Sequence, residues 1–419
     1  PPGPARRIRR YACTRFQQLT SPAAAKAVED TACYRSGTLL SRNDVGFDAQ
    51  TFSAPVDTFH AECLERAEHF PRNLLTTATH DHKRGEDTRA RMTVISERAE
   101  WFASKVKHWR QLAYGQRQEL PEGPAPSPGD EMLLYQVLLG CWPLDLKADD
   151  KSAMETFCER MIQWQEKAVR EAKLRSTWTD PNSDYEGACQ HYLRALLLGD
   201  ECKTLRDDIA AAAAELAPAG ALNSLTQTFL RMTTPGVPDL YQGADYWDFS
   251  LVDPDNRRPV DFDRRRATFS LDAQPAELMA NWQDGRIKQW LIANTLKLRR
   301  AHPRLFTEGR YLPLKVEGEH AERVIAFARE LDGHCVIVIA ARLAYGLLGD
   351  SQTPQVPIER WGDTHVRLPD ALSGKAMERL FDGMTVRPKQ EGLSVPDVLQ
   401  HLPFALLQLT MSSTGESER

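Results

Sequence analysis

The apolar residues of this chain change their spacing part-way along, and that change limits what it can fold into. From residue 88 to about 220 they recur at helix spacing, as in Ile95, Ala99, Phe102, Val106 and Trp109, and again in Met154, Phe157, Met161, Trp164 and Ala168. A Pro- and Gly-rich loop over 120–129 interrupts this block, with Asp130 placed to cap the helix after it, and Ala210–Ala214 belongs to a further helix. Beyond about 305 the spacing is that of strands. Arg323–Arg329, Val336–Ile339 and Phe404–Leu409 are short apolar runs between turn-rich segments, which predicts a small antiparallel sandwich.

The flanking regions are less periodic. Residues 11–70 read as loops and short helices. Leu74–Thr79 is a short β-prone run that ends at His80-Asp81, and Gly236–Gly243 is a second short strand bounded by Gly and Pro. An amphipathic helix with Ile287, Trp290, Leu291 and Leu298 on one face should stop at His302-Pro303, because the residue before proline is pushed out of the helical region. The tail from Ser412 is polar and expected to fray.

Composition excludes several classes. Hydrophobic residues make up 42% of the 419 residues and charged residues 26%, enough to build ordinary globular cores. The formal charge of −5 gives no positive field for a nucleic-acid platform. No apolar run is long enough to span a membrane and the first thirty residues hold no signal-peptide core, so a soluble, cytoplasmic protein is expected. Eight cysteines are scattered without a CxxC pair and read as reduced core thiols, their spacing being wrong for a structural zinc site. The chain starts Pro1-Pro2-Gly3-Pro4 with no methionine, followed by Arg6, Arg7, Arg9 and Arg10, which suggests that something upstream has been removed.

Three clusters could carry chemistry. In Thr79-His80-Asp81-His82-Lys83-Arg84-Gly85-Glu86-Asp87 a carboxylate stands between histidines and two cations at the end of a strand, where it could orient sugar hydroxyls; a charged first helical turn, with Glu86 and Asp87 against the macrodipole, explains the spacing equally well. His80-Asp81 with His60, His69 and His82 also admits a metal-dependent phosphohydrolase, although the ligand spacing is wrong. Trp247–Asp261 sets aromatic rings beside carboxylates and a twin arginine, as a sugar subsite or as an ion-paired loop. In the third cluster Lys26, Glu29 and Asp30 share a helix face whose plain reading is solvation.

Taken together, RFQQLTSPAAAKAVEDTACYR, LLTTATHDHKRGEDTRARMTVISERAEW, TPGVPDLYQGADYWDFSLVDPDNRRPVDF and IKQWLIANTLKLRRAHPRLF resemble the maltooligosyltrehalose synthases, a family of the α-amylase superfamily. The resemblance runs in order over 15–306. It implies an α/β plus all-β fold: the C-terminal part of a (β/α)8 barrel through strand seven over 1–87, a helical insertion over 88–222, strand and helix eight over 223–304, and an antiparallel β-sandwich domain over 305–419. It further implies that Asp81 grips two hydroxyls of the reacting sugar, with His80 as hydroxyl-binding neighbour, and that Lys83, Arg84, Tyr241, Gln242, Asp253, Lys26 and Glu29 are substrate-binding candidates. The family reaction turns the reducing-end α-1,4 glucosyl linkage of a maltooligosaccharide into α,α-1,1 without a cofactor.

Retaining chemistry of this kind needs a carboxylate nucleophile and a carboxylic acid about 5–5.5 Å apart. The family carries these in motifs resembling R-x-D-H and E-K, and neither is found before position 74. The expected partners are therefore the α-glucan substrate and a missing N-terminal half of the barrel, with no nucleic acid and no membrane. His82 stands where the family usually has Thr, Ala27 where it has Gly, and Asp245 where it has Glu. A hydrolase of the same superfamily and a non-catalytic glucan-binding or split-enzyme piece are the alternatives.

Overall fold

The computed structural model describes residues 3–48 and 50–409, apart from the side chains of Ala24 and Lys26. The expectation for the tail from Ser412 lies outside the described residues, and so does that for the Lys26 side chain. Longer helices are α1 (Pro4–Ala27), α2 (Val56–His69), α3 (Glu86–Thr93), α4 (Ala99–Leu112), α5 (Pro128–Cys141), α6 (Lys151–Ala172), α7 (Ser183–Leu198), α8 (Lys203–Thr233) and α9 (Arg286–Ala301). The strands are β1 (Leu74–Leu75), β2 (Gln118–Leu120), β3 (Gly123–Ala125), β4 (Val237–Pro238), β5 (Arg310–Pro313), β6 (Val316–Glu317), β7 (Val324–Leu331), β8 (His334–Ala341), β9 (His365–Val366), β10 (Met377–Arg379), β11 (Thr385–Val386), β12 (Leu393–Ser394) and β13 (Phe404–Leu409).

A six-stranded antiparallel sheet, ordered β11-β10-β13-β8-β7-β5, organises the C-terminal part. Side chains alternate between its faces. Ile325, Phe327, Val336, Val338, Phe404 and Leu406 share a core with Phe229 of α8 and Trp290 of α9. Ala326, Ala328, Ile337, Ile339 and Leu407 face Trp361, Val366 and Leu393, on or beside the three-stranded sheet β12-β9-β6. Burial on both faces explains why β7 and β8 read as nearly unbroken apolar runs. Their register, Val324↔Ala341 to Leu331↔His334, is closed by Asp332-Gly333, both at positive φ, the conformation that a two-residue hairpin turn requires.

The helical block is built around α3. Its neighbours α5 and α8 come close because Gly140 faces Met92 and Thr88, while Gly220 faces the Arg91 backbone, where a Cβ would lie 2.8 Å from Arg91 Cα. One small parallel pair, Leu74↔Val237 and Leu75↔Pro238, joins β1 to β4. Among the described residues no helix is long and apolar enough to cross a membrane.

Four local expectations change. The stretch expected as loops and short helices contains α1, 24 residues long, and α2, 14 residues long. The two β-prone runs, 74–79 and 236–243, shrink to two residues each, since the polar residues that follow turn away to make side-chain contacts. The cap of α5 is Ser127 rather than Asp130: Ser127 Oγ accepts from the Asp130 N–H at 3.2 Å and donates to its carboxylate at 2.7 Å, with Pro128 in the first turn. The 120–129 loop forms the β2–β3 hairpin.

Candidate active site

The chain leaves β1 into a tight polar turn. The Thr79 N–H and hydroxyl both meet His82 Nδ1 at 2.9 Å, and Thr79 Oγ1 accepts from the Asp81 N–H at 3.2 Å. These bonds fold His82 inward, where it is buried, and turn His80 and Asp81 outward. Burial and the nearby Arg89 guanidinium hold the His82 imidazole below its ordinary pKa. Asn256 clamps the turn from the other side, donating from Nδ2 to the His80 carbonyl at 3.2 Å and the His82 carbonyl at 3.5 Å. Tyr241 donates to the Asn256 carbonyl at 3.1 Å. The loop after β4 is thereby tied to the loop after β1, and the parallel pair places both at the same end.

The Asp81 side chain is 47% exposed, so a ligand can reach it. Its one ion-pair partner among the described residues is Lys83, with Nζ 3.6 Å from Oδ1. The Lys83 ammonium is buried and held more tightly by Asp30, at 2.8 Å. Burial would lower the Lys83 pKa, but the Asp30 carboxylate outweighs it and the ammonium stays charged. Asp30 lies on the π-helical turn Val28–Ala32 that follows α1. Glu29, on the same turn, is half-buried and accepts from the Gly46 N–H at 3.4 Å.

Other candidates divide by environment. Arg84 is buried, its Nη1 donating to the Asn43 carbonyl at 2.6 Å, and Asp44 holds the Lys83 and Arg84 backbone N–H groups at 2.8 and 3.1 Å. Asp253 bridges Lys167 at 2.5 Å and Arg257 at 2.9 Å. Asp255 pairs with Arg160 and Arg258, so the 247–261 loop is ion-paired. Gln242 is exposed; with Tyr241, Asp245, Phe262, Arg265 and Phe269 it lines an open groove of about 820 Å³. Asp245 is held there by Arg265 at 2.8 Å and Gln289 at 3.1 Å.

The histidines of the metal reading do not converge. His60 Nδ1 pairs with the Tyr311 hydroxyl at 2.8 Å, against β5, and among the described residues no three His, Cys, Asp or Glu side chains group as metal ligands. Seven of the eight thiols are buried and Cys13 is exposed.

A feature that the sequence reading lacked lies directly beneath the turn. Glu86 and Asp87 stand in the first turn of α3, as the charged-helix-turn reading has it, but both are fully buried there. Lys288 of α9 sits between them, 2.6 Å from Glu86 Oε1 and 2.7 Å from Asp87 Oδ2. Arg231 reaches Glu86 Oε2 at 3.0 Å, Thr77 donates to the same oxygen, and the Asp248 N–H donates to Asp87 at 2.5 Å. Burial would raise the Glu86 pKa, but Lys288 and Arg231 bring it down to about 2. For Asp87 burial dominates; Lys288 opposes it, the Glu86 charge adds to it, and the pKa is pushed up to about 6. A signal for this cluster was present in the sequence, because Lys288 falls in line with Leu291 and Thr295 on the buried stripe of α9.

The chain as a whole is similar to known proteins. No protein-family model matches the chain. A Mycobacterium tuberculosis protein with the assigned name maltooligosyl trehalose synthase is 35% identical over 358 residues, which is 85% of this chain and 41% of that protein. Maltooligosyltrehalose synthase from Arthrobacter ramosus superposes with a TM-score of 0.75 at 32% identity, covering 95% of this chain and 47% of that one. A hypothetical maltooligosyl trehalose synthase of Sulfolobus tokodaii gives 0.72 at 26% identity, again over 95% of this chain and 47% of the other. The chain thus spans less than half the length of each of these relatives.

Proposed function

From its similarity to the maltooligosyltrehalose synthases, we propose that this chain is the part of such an enzyme that carries the transition-state-stabilising aspartate, Asp81, and the C-terminal β-region. In this reading β1 and β4 are the last two strands of a (β/α)8 barrel, residues 88–222 form an insertion between them, and the remaining strands belong to polypeptide outside these 419 residues. The reaction is an intramolecular transglycosylation of maltooligosaccharides. A carboxylate displaces the 4-oxygen of the reducing-end glucose from the anomeric carbon of its neighbour, and a carboxylic acid protonates that oxygen. The freed glucose turns over, and its anomeric hydroxyl attacks the glycosyl-enzyme while the former acid takes back the proton, giving the α,α-1,1 linkage. The nucleophile and the acid lie outside this chain.

Asp81 accepts hydrogen bonds from two hydroxyls of the glycosyl unit as it flattens toward the oxocarbenium-like transition state. Lys83, fixed by Asp30, orients Asp81, and His80 adds a second polar contact. The observation that carries this reading is the outward-facing His80-Asp81 pair, held by Asn256 and Lys83 at the end of the parallel pair β1–β4.

The test is to incubate maltohexaose with the native protein from its source and, separately, with the 419-residue chain. The native protein should have a mass well above 47.3 kDa and should convert maltohexaose to a trehalose-ended product with loss of reducing ends; Asp81→Ala in it should lower kcat by roughly 10²–10³-fold. The 419-residue chain alone should be inactive. A rise in reducing ends would point to hydrolysis instead, and activity of the isolated chain would show that it holds its own nucleophile and acid.

A further inference from the structure

Away from the His80-Asp81 turn, the α5–α6 connection, α8 and the turn at Trp282-Gln283 enclose a cavity of about 180 Å³. Trp142, Leu144, Leu146, Ala213, Ala217 and Trp282 make most of its wall apolar, and Arg91 is the one charged residue lining it. Arg91 is 2% exposed. Its guanidinium lies 4.0 Å from the centre of the Phe249 ring, and Nη1 donates to the Trp142 carbonyl at 2.6 Å and the Leu139 carbonyl at 3.4 Å. Nη2 is buried with no hydrogen-bond partner. Among the described residues no carboxylate forms an ion pair with Arg91, whereas Arg231 in the same core is matched by Glu86. Burial brings its pKa down to about 10, which leaves it charged at neutral pH. A buried cation is ordinarily paired, and an orphaned donor in a polar core calls for a partner. At the other end of the cavity Ala214, Gln283 and Gln352 are exposed, so there is a route in from solvent.

We propose that this cavity binds a short-chain organic monocarboxylate, with its charge on the Arg91 guanidinium and its alkyl body between Trp142 and Trp282. One guanidinium matches one negative charge. The apolar wall favours an alkyl carboxylate over inorganic phosphate, whose remaining oxygens would lie mostly against carbon. Arg91 lies one helical turn after Asp87 on α3, so occupancy steadies the helix that follows the Asp81 turn.

Butyrate is the probe and its neutral isostere butyramide the control, read on the 419-residue chain by saturation-transfer NMR on the ligand methyl and by the shift in Tm. Saturable millimolar binding of butyrate, with a rise in Tm that butyramide does not produce, is the expected result. Arg91→Gln should abolish it. Should that variant fail to fold, Gln283→Glu places an isosteric negative charge at the exposed mouth and should weaken binding at least threefold while leaving the fold unchanged. Absence of saturable binding, equal binding of butyramide, or butyrate binding indifferent to both substitutions would overturn the proposal.

Discussion

Lys288 is the residue on which the polar core turns, because one ammonium serves two buried carboxylates. Glu86 also has Arg231, but Asp87 has no other cation within ion-pair distance among the described residues. Lys288→Met should therefore lower the unfolding free energy in urea by about 3–5 kcal/mol, since it leaves a buried charge uncompensated. A loss below ~1 kcal/mol would show that Asp87 is already protonated in the folded chain. The turn above this cluster makes a separate prediction through His82. Its folded pKa is depressed below the ordinary 6.5, so its contribution is fully present above pH 6.5 and is lost as pH falls through the folded value. Urea midpoints measured from pH 7.5 down to 5 should fall for the wild type and fall less steeply for His82→Gln. An equal slope in both would remove His82 from the acid response.

The contact between α3 and α8 depends on Gly220. A methyl there would stand 2.8 Å from Arg91 Cα, a backbone atom with no rotamer to yield. Alanine is the better helix former in isolation, yet Gly220→Ala should destabilise the chain by about 1–3 kcal/mol, because overpacking exceeds the gain in propensity. Calorimetry that showed a gain in stability would mean that the helices part freely. At the start of α5 the Ser127 cap is worth about 1 kcal/mol, and Ser127→Ala should lower the Tm accordingly. The helices α4, α6 and α9 were legible because each buries an apolar stripe of period 3.6, whereas α3 buries mostly charged side chains and carries no such stripe. The two-residue strands β1 and β4 were legible only as longer runs, since β-prone residues such as Thr76 and Thr77 were recruited by side-chain contacts after the pairing ended.

Across the whole molecule, α1 stands apart: from Gly3 to Ala23 every residue is exposed, with Ile8, Tyr11, Phe16 and Leu19 among them. Brief trypsin treatment should cut at Arg6, Arg7, Arg9, Arg10 and Arg15 before any site in the β7–β8–β13 sheet, and the trimmed chain should keep its urea midpoint. The sequence by itself determined the order of helix-period and strand-period segments, the stop at His302-Pro303 and the polar run 79–87. These are local properties, written in spacing and turn chemistry over a few residues. Only the tertiary structure decided which of those polar residues face outward. His80 and Asp81 are turned to solvent by Thr79, His82 and Asn256, while Arg84 is buried against Asn43 and Asp44, and Glu86 and Asp87 are drawn into a core with Lys288, more than two hundred residues further along. A carboxylate's exposure depends on which distant cation the fold brings to it, and no local pattern around residue 86 records the position of residue 288.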